Sequence, residues 1–331
     1  MTRQIKMAMP SRGMFWTGFV LAGLGAVLFS AKAIVAKLLY LHGVDALDVI
    51  GFRMLLALPF FACIALVQMS RARRGLLARL DRRDSLRIAV LGFIGYYLSS
   101  FLDFMGLQYI SAGLERLILF LSPTFVLLFS AWFLRKPIAA RQWLAMALAY
   151  GGVALVFWAD LSVTGEDVVL GSACVLGAAF SYSMYLIGSG ELVERVTATR
   201  LTAYAMTVSA GVTMVHFFAV KGLAGLDRSL PVYGLSLIHA TANTVLPTFM
   251  IMWSVARIGA PLTAQLGLLG PVSILFLAWL FLGEPITGFQ VAGTVLVAIS
   301  AVVLGHRPKA PSRSVPATQD FTPAFPPKPP H

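Results

Sequence analysis

Five ionisable residues sit within or at the edges of apolar stretches in the first half of the chain: Lys37, Arg53, Asp103, Glu115 and Arg116. A lone charge at membrane depth costs at least ~2.5 kcal/mol, so groups of both signs at one level are expected to pair. Three cations against two anions leave one positive charge over. Two chemistries follow: the surplus cation can meet an anionic substrate group, and the carboxylates can carry protons. The plainer reading is a structural lattice of ion pairs that closes the helix ends. Lys32 lies deeper and points well round the helix from Lys37, with no partner evident in the sequence.

A second set is uncharged. Tyr96 and Tyr97 fall in the middle of the third apolar span, Tyr182 and Tyr185 in the sixth, Asn243 and Thr244 in the eighth, and Gln265 in the ninth. Such groups can satisfy a substrate's polar atoms while packing its body; interhelical hydrogen bonding is the alternative. A third set is Pro123 and Pro271, each mid-span and each beside small or weakly polar neighbours such as Ser122. A proline inside a helix removes a backbone hydrogen bond, and in lipid the freed carbonyl must find a partner or line a wet cavity.

Other chemistries lack their residues. His216 and His239 have no second ligand at metal spacing, so no metal site is expected. No phosphate-cradling glycine loop ending in Gly-Lys-Ser/Thr is present, and no Gly-x-Ser-x-Gly elbow. The chain reads as a non-enzyme without a cofactor. Cys63 and Cys174 both fall in apolar spans and form no disulfide framework.

The elements that must position these groups follow from composition. Of 331 residues, 58% are hydrophobic and 12% charged, against about half and a quarter in a soluble domain. Apolar runs of about 20 residues recur along the chain, as in transmembrane helices. The net charge of +12 sits in short loops, where it orients the protein; nucleic acid is not the expected partner. The Arg-rich loop from Arg71 to Arg87 is the strongest marker and is expected in the cytoplasm. Ten spans then put both termini inside. Lys221 and Arg228, in an outside loop, are the one mild violation of this pattern. Residues 306–331 are rich in proline and basic residues and read as a disordered cytoplasmic tail.

The chain is also duplicated. LSPTFVLLFSAWFLRKPI from Leu121 and LGPVSILFLAWLFLGEPI from Leu269 align without a gap, with Pro123 on Pro271 and Pro137 on Pro285. In the same register Tyr96 overlays Thr244, and Gly95 overlays Asn243. Five spans per copy is odd, so the second copy must enter the membrane upside down. Matched interruptions in inverted halves point to a binding site near the midplane. The expected division is a cytoplasmic N-terminus at 1–13, a first repeat at 14–158, an outside linker at 159–167, a second repeat at 168–305 and the tail.

These paired segments, together with Lys37 late in span one and Arg53 early in span two, resemble the EamA repeat of the drug/metabolite transporter superfamily. The second copy departs in having Ser189 where Lys37 stands, and no counterpart of Asp103 or of Glu115-Arg116. The resemblance implies an all-α integral membrane protein, with ten transmembrane helices as two inverted five-helix EamA repeats. It implies a carrier of a small metabolite such as an amino acid, working by alternating access, often outward. The cavity is expected between spans three, four, six, eight and nine. An importer, or a non-transporting sensor or scaffold on the same fold, is the alternative. Protons are a candidate coupling ion. The lipid bilayer of the inner membrane is the expected setting, and monomer and homodimer both stay open.

Overall fold

The computed structural model describes residues 12–135, 137–164, 167–258, 262–263 and 266–305. The N-terminal segment, the Pro-rich tail and Gln265 therefore lie outside the described residues. Among those described, the chain is helical and contains no strand. Span one is Arg12–Tyr40 and span two Ala46–Arg73. Span three runs Arg82–Gly92, Phe93–Leu98 and Ser99–Leu107 without leaving the helix path. Span four is Ala112–Leu119 and Ser122–Leu134. Spans five, six and seven are Ala140–Thr164, Asp167–Val196 and Ala198–Lys221. Span eight is Leu230–Ala240, Thr241–Val245 and Leu246–Ile258. Leu269–Leu282 is the continuous part of span nine, and Gly288–Gly305 is span ten.

Eight of these spans are long and apolar enough to cross a bilayer. The 14 residues of Leu269–Leu282 rise only about 21 Å at ~1.5 Å each, short of the ~30 Å hydrocarbon core. The described continuous helix of span nine is therefore too short to cross alone, and span four is broken within its length.

The duplication is written into the backbone. Span four stops at Leu119 and restarts at Ser122, with Pro123 in the first turn of the new helix. Proline is tolerated there because its missing N–H would be unpaired anyway. Span nine restarts at Leu269, with Pro271 in its first turn. The prolines therefore begin helices rather than bend them. At the first break Ser183 Oγ, from span six, donates to the carbonyl of Ser122 at 3.0 Å. The same register overlays two wider, π-helical segments, Phe93–Leu98 and Thr241–Val245. Such turns mark functional positions in many helices. It also overlays two left-handed residues that end spans four and nine, Arg135 at φ 51° and Gly283 at φ 68°.

Glycine adopts that conformation without strain, whereas a residue with a Cβ pays about 1–2 kcal/mol. Arg135→Gly is therefore expected to stabilise the protein by about 1 kcal/mol, after allowing for glycine's greater freedom when unfolded. A rise in the thermal midpoint of the detergent-purified variant checks it.

The packing has the symmetry of an inverted pair. Span one lies against spans eight and nine, and its counterpart, span six, lies against spans three and four. Span two packs on span seven and span five on span ten, each on its own counterpart. Small residues allow the last contact: a Cβ on Gly152 would sit 2.7 Å from the carbonyl oxygen of Gly293, and one on Gly293 2.6 Å from that of Gly152. The copies are thus interlocked, and the largest core cluster draws on both. The outer surface carries exposed Trp132, Trp143, Trp158, Trp253 and Trp279 among aliphatic side chains, as expected of a lipid-facing rim.

Candidate functional site

A cavity of about 500 Å³ lies where the copies meet. Its size is that of a small-molecule site. Of the residues expected at a cavity, Tyr96, Ser122, Pro123, Tyr182, Asn243 and Thr244 line it, and Arg53, Asp103 and Arg116, expected in a separate outer layer, line it too. Spans one, two and seven also contribute, through Phe29 and Lys32, Arg53 and Met54, and Thr202 and Met206. No described residue of span nine does. Gly270 of span nine lies behind Arg116, whose Nη2 comes within 2.6 Å of where a Cβ on Gly270 would stand. The guanidinium occupies the space a side chain would need, and Pro271 is buried outside the lining.

Two π-helical segments set the direction of the uncharged groups. In span three, Tyr96 turns inward and its hydroxyl lies 3.2 Å from that of Tyr185. The Tyr185 ring stacks on Tyr182 at 5.8 Å and backs Tyr96 at 4.9 Å. Tyr97 turns away: its hydroxyl bonds His216 Nδ1 at 2.8 Å, and its ring stacks on Phe101. Neighbours on a helix are separated by about 100°, so one tyrosine of the pair had to leave the cavity. In span eight, Asn243 Nδ2 donates to the carbonyl of Leu28 at 2.7 Å, leaving its Oδ1 without a protein partner. Thr244 Oγ1 donates to the carbonyl of His239 at 2.9 Å.

The charged set divides in two. Lys32 is its hub: Nζ lies 2.5 Å from Asp103 Oδ2 and 3.5 Å from Glu115 Oε1. Arg53 lies over the Phe104 ring at 4.9 Å, and Arg116 over Phe29 and Phe120 at 5.4 Å each. Lys32, Arg53, Asp103, Glu115 and Arg116 are all buried. Arg53 Nε and Nη2, Arg116 Nε and Asp103 Oδ1 have no hydrogen-bond partner in the protein. Cation–π contacts return ~0.5–2 kcal/mol, less than the several kcal/mol that burying each ion costs. One positive charge is left uncompensated here, as in the sequence count, with Lys32 in the place expected of Lys37. His239 packs edge-on to Phe104 at 5.3 Å, with neither ring nitrogen bonded.

Lys37 belongs elsewhere. Its Nζ pairs with Glu284 of the second copy at 2.9 Å, and Glu284 also accepts from the Ala112 N–H at 3.2 Å. Asp160, from the end of span five, accepts from the Ser111 N–H at 2.9 Å. At the end of the bundle shared by the 1–2 and 7–8 loops, Lys221 Nζ meets Asp45 at 2.6 Å and Asp48 at 3.4 Å, and Arg228 Nη2 meets both oxygens of Asp48 at 3.1 Å. This explains the two cations that broke the charge pattern: two carboxylates of the facing loop neutralise them. Asp45 and Asp48 also form a reciprocal cap at the start of span two.

Burial pushes the Asp45 carboxyl up, but the Lys221 ammonium and the Asp48 N–H outweigh it and hold it below its ordinary range. Because its folded pKa is depressed, its contribution is complete above about pH 4 and is lost as pH falls through the lowered value. The stability difference between wild type and Lys221→Met is therefore expected to shrink on acidification below about pH 4. Thermal melts of both proteins over a pH series check it.

The EamA-like transporter family matches the chain twice, over residues 16–158 and 169–305. An uncharacterized transporter of Bacillus subtilis (strain 168), YcbK, is 32% identical over 287 residues, covering 83% of this chain and 88% of that protein. A probable terminal-alkyne amino-acid exporter of Streptantibioticus cattleyicolor is 29% identical over 243 residues, 68% of this chain and 74% of its own. An S-adenosylmethionine/S-adenosylhomocysteine transporter of Chlamydia trachomatis is 25% identical over 242 residues, 69% and 71% of the two chains. One solved crystal structure shares the fold, with a TM-score of 0.60 at 15% identity over 86% of this chain and 97% of that one. Two interlocked copies of one helical unit, enclosing a chamber between them, carry the same conclusion as these matches: the chain belongs to the EamA-like transporter family and is a multi-pass membrane transporter.

Proposed function

We propose that this protein is a secondary active carrier that moves a small zwitterionic metabolite of amino-acid type across the inner membrane by alternating access. The single observation that carries the reading is the uncompensated cation of the chamber. Arg53 and Arg116 line the chamber and each keeps a buried N–H without a protein partner, and a substrate carboxylate would supply the missing negative charge. Asp103 and Asn243 line the same chamber, and each has a buried oxygen without a hydrogen-bond partner, which suits a substrate ammonium. Tyr96 and Tyr182 offer faces for the rest of the molecule. An amino-acid exporter and an adenosylmethionine carrier among the relatives favour the same class, and the first favours efflux.

Two carboxylates flanking one ammonium form a set that can change its charge by one proton, which makes Asp103 and Glu115 the candidate coupling groups. The ion pairs at the ends of spans one, two, seven and nine lace the copies together on the face read as outer. The chamber extends the other way, to Leu186, Thr202 and Met252, near the inner ends of their spans. That arrangement suits a carrier closed outside, with both termini in the cytoplasm.

Counterflow in proteoliposomes tests the reading. Vesicles loaded with unlabelled amino acids are expected to accumulate labelled amino acid transiently and saturably, and the corresponding amines without a carboxylate should not compete. Competition by the amines equal to that by amino acids would remove the carboxylate subsite.

A further inference from the structure

A second cavity, of about 440 Å³, opens at the opposite end of the bundle from the ion-pair clasp, between the end of span two and the starts of spans three and seven. Its polar side presents Arg73, Arg79 and Arg200; its other wall is apolar, with Met69, Ile88 and Val208. Arg200 is buried, with 4% of its surface exposed, and lies over the Tyr204 ring at 5.5 Å. One terminal nitrogen, Nη1, donates to the carbonyl of Ala78 at 2.6 Å, but its Nε has no partner. The acids of the neighbouring loop are engaged elsewhere. Asp84 pairs with Arg195 at 2.9 Å, and Asp81 accepts from the Asp84 N–H at 2.6 Å as a helix cap. No carboxylate among the described residues pairs with the three guanidinium groups.

We propose that this cavity is a binding site for the phosphate headgroup of an anionic phospholipid. A buried guanidinium with an unpartnered nitrogen is satisfied by a phosphate oxygen, and two more guanidinium groups at the rim match the charge of a phosphodiester. The cavity lies at the ends of membrane-spanning helices, the level of lipid headgroups, where basic pockets between helices select anionic lipids. The apolar wall and the exposed Leu86 and Val90 of span three give acyl chains a path into the bilayer. A soluble phosphate ester would use the guanidinium groups and leave that wall unused, so the lipid is favoured. The site is separate from the transport chamber and does not depend on the substrate assigned there.

Native mass spectrometry of the full chain in neutral detergent tests this, with dioleoyl phosphatidylglycerol and dioleoyl phosphatidylcholine as competing probes. Wild type is expected to retain phosphatidylglycerol preferentially. Each rim guanidinium contributes about fivefold, so Arg73→Gln with Arg79→Gln should lower the preference about 25-fold. Both residues are exposed, and their replacement leaves the buried packing untouched. Arg71→Gln with Arg74→Gln removes the same charge outside the cavity lining and should leave the preference standing. Equal retention of the two lipids by wild type would overturn the proposal. So would equal losses in the two double variants, which would reveal a diffuse basic surface. Displacement of the lipid by millimolar inorganic phosphate or glycerol 3-phosphate would assign the site to a soluble ester and overturn the lipid reading.

Discussion

On the proposed proton coupling, Asp103→Asn is expected to abolish gradient-driven flux while the protein still folds and still binds substrate. Asparagine keeps the size of the side chain and can still contact Lys32, but it cannot take up and release a proton in the working range. Lys32 keeps Glu115 at 3.5 Å, so the ammonium is not stranded. The structural penalty should fall below the ~3–5 kcal/mol of a buried ion left without any partner. The measurement is uptake in proteoliposomes with and without an imposed pH gradient, beside gradient-free counterflow. Gradient stimulation should disappear, and counterflow should persist with a weakened apparent affinity, because the amide oxygen still accepts from the substrate ammonium without its charge. If stimulation survives, the Lys32–Asp103 pair is a structural tie and coupling lies elsewhere. Loss of both activities with a lower thermal midpoint would also assign the pair to structure.

Arg53→Gln carries the second large effect, and its two readouts are expected to move in opposite directions. As a ligand for a substrate carboxylate, Arg53 makes a buried, charge-assisted contact, and truncating one partner of such a pair costs 2–5 kcal/mol. The lower end is roughly a 30-fold loss of apparent affinity. Without substrate, the change removes the uncompensated cation, so the apo variant should be at least as stable as wild type. A lattice role predicts the reverse: stability falls by the ~3–5 kcal/mol of a broken buried pair and substrate affinity holds. Thermal melts with and without the proposed amino-acid substrate separate the two. Stabilisation by ligand should vanish in the variant while its apo midpoint holds or rises.

The sequence by itself determined the helices, the duplication and most of the residue types that meet at the site. Long apolar runs in a bilayer leave the backbone little choice but helix, and paired prolines at constant spacing marked the repeat. Position along a helix is proportional to residue number, so the sequence put Tyr96 and Asn243 mid-span and Asp103 and Arg116 towards the span ends; that all four line one chamber came from the structure. Direction round the helix was another matter. Tyr96 and Tyr97 are equivalent in the sequence, yet one lines the chamber and the other bonds His216. The π-helical segments at Phe93–Leu98 and Thr241–Val245 rotate all that follows, and no residue type announces them.

Partnership was also decided in three dimensions. Lys37 and Lys32 are five residues apart, about 140° round the helix. Packing of span one between the copies sends Lys37 to Glu284 and Lys32 to Asp103 and Glu115. The clasp of Asp45 and Asp48 with Lys221 and Arg228 joins loops far apart in the chain, so its two cations read in sequence only as a breach of the charge rule. Local periodicity fixes what each segment is and how deep each residue lies. Which side chains face one another depends on how the two copies interlock, and that contact energy is spread over residues no single stretch contains.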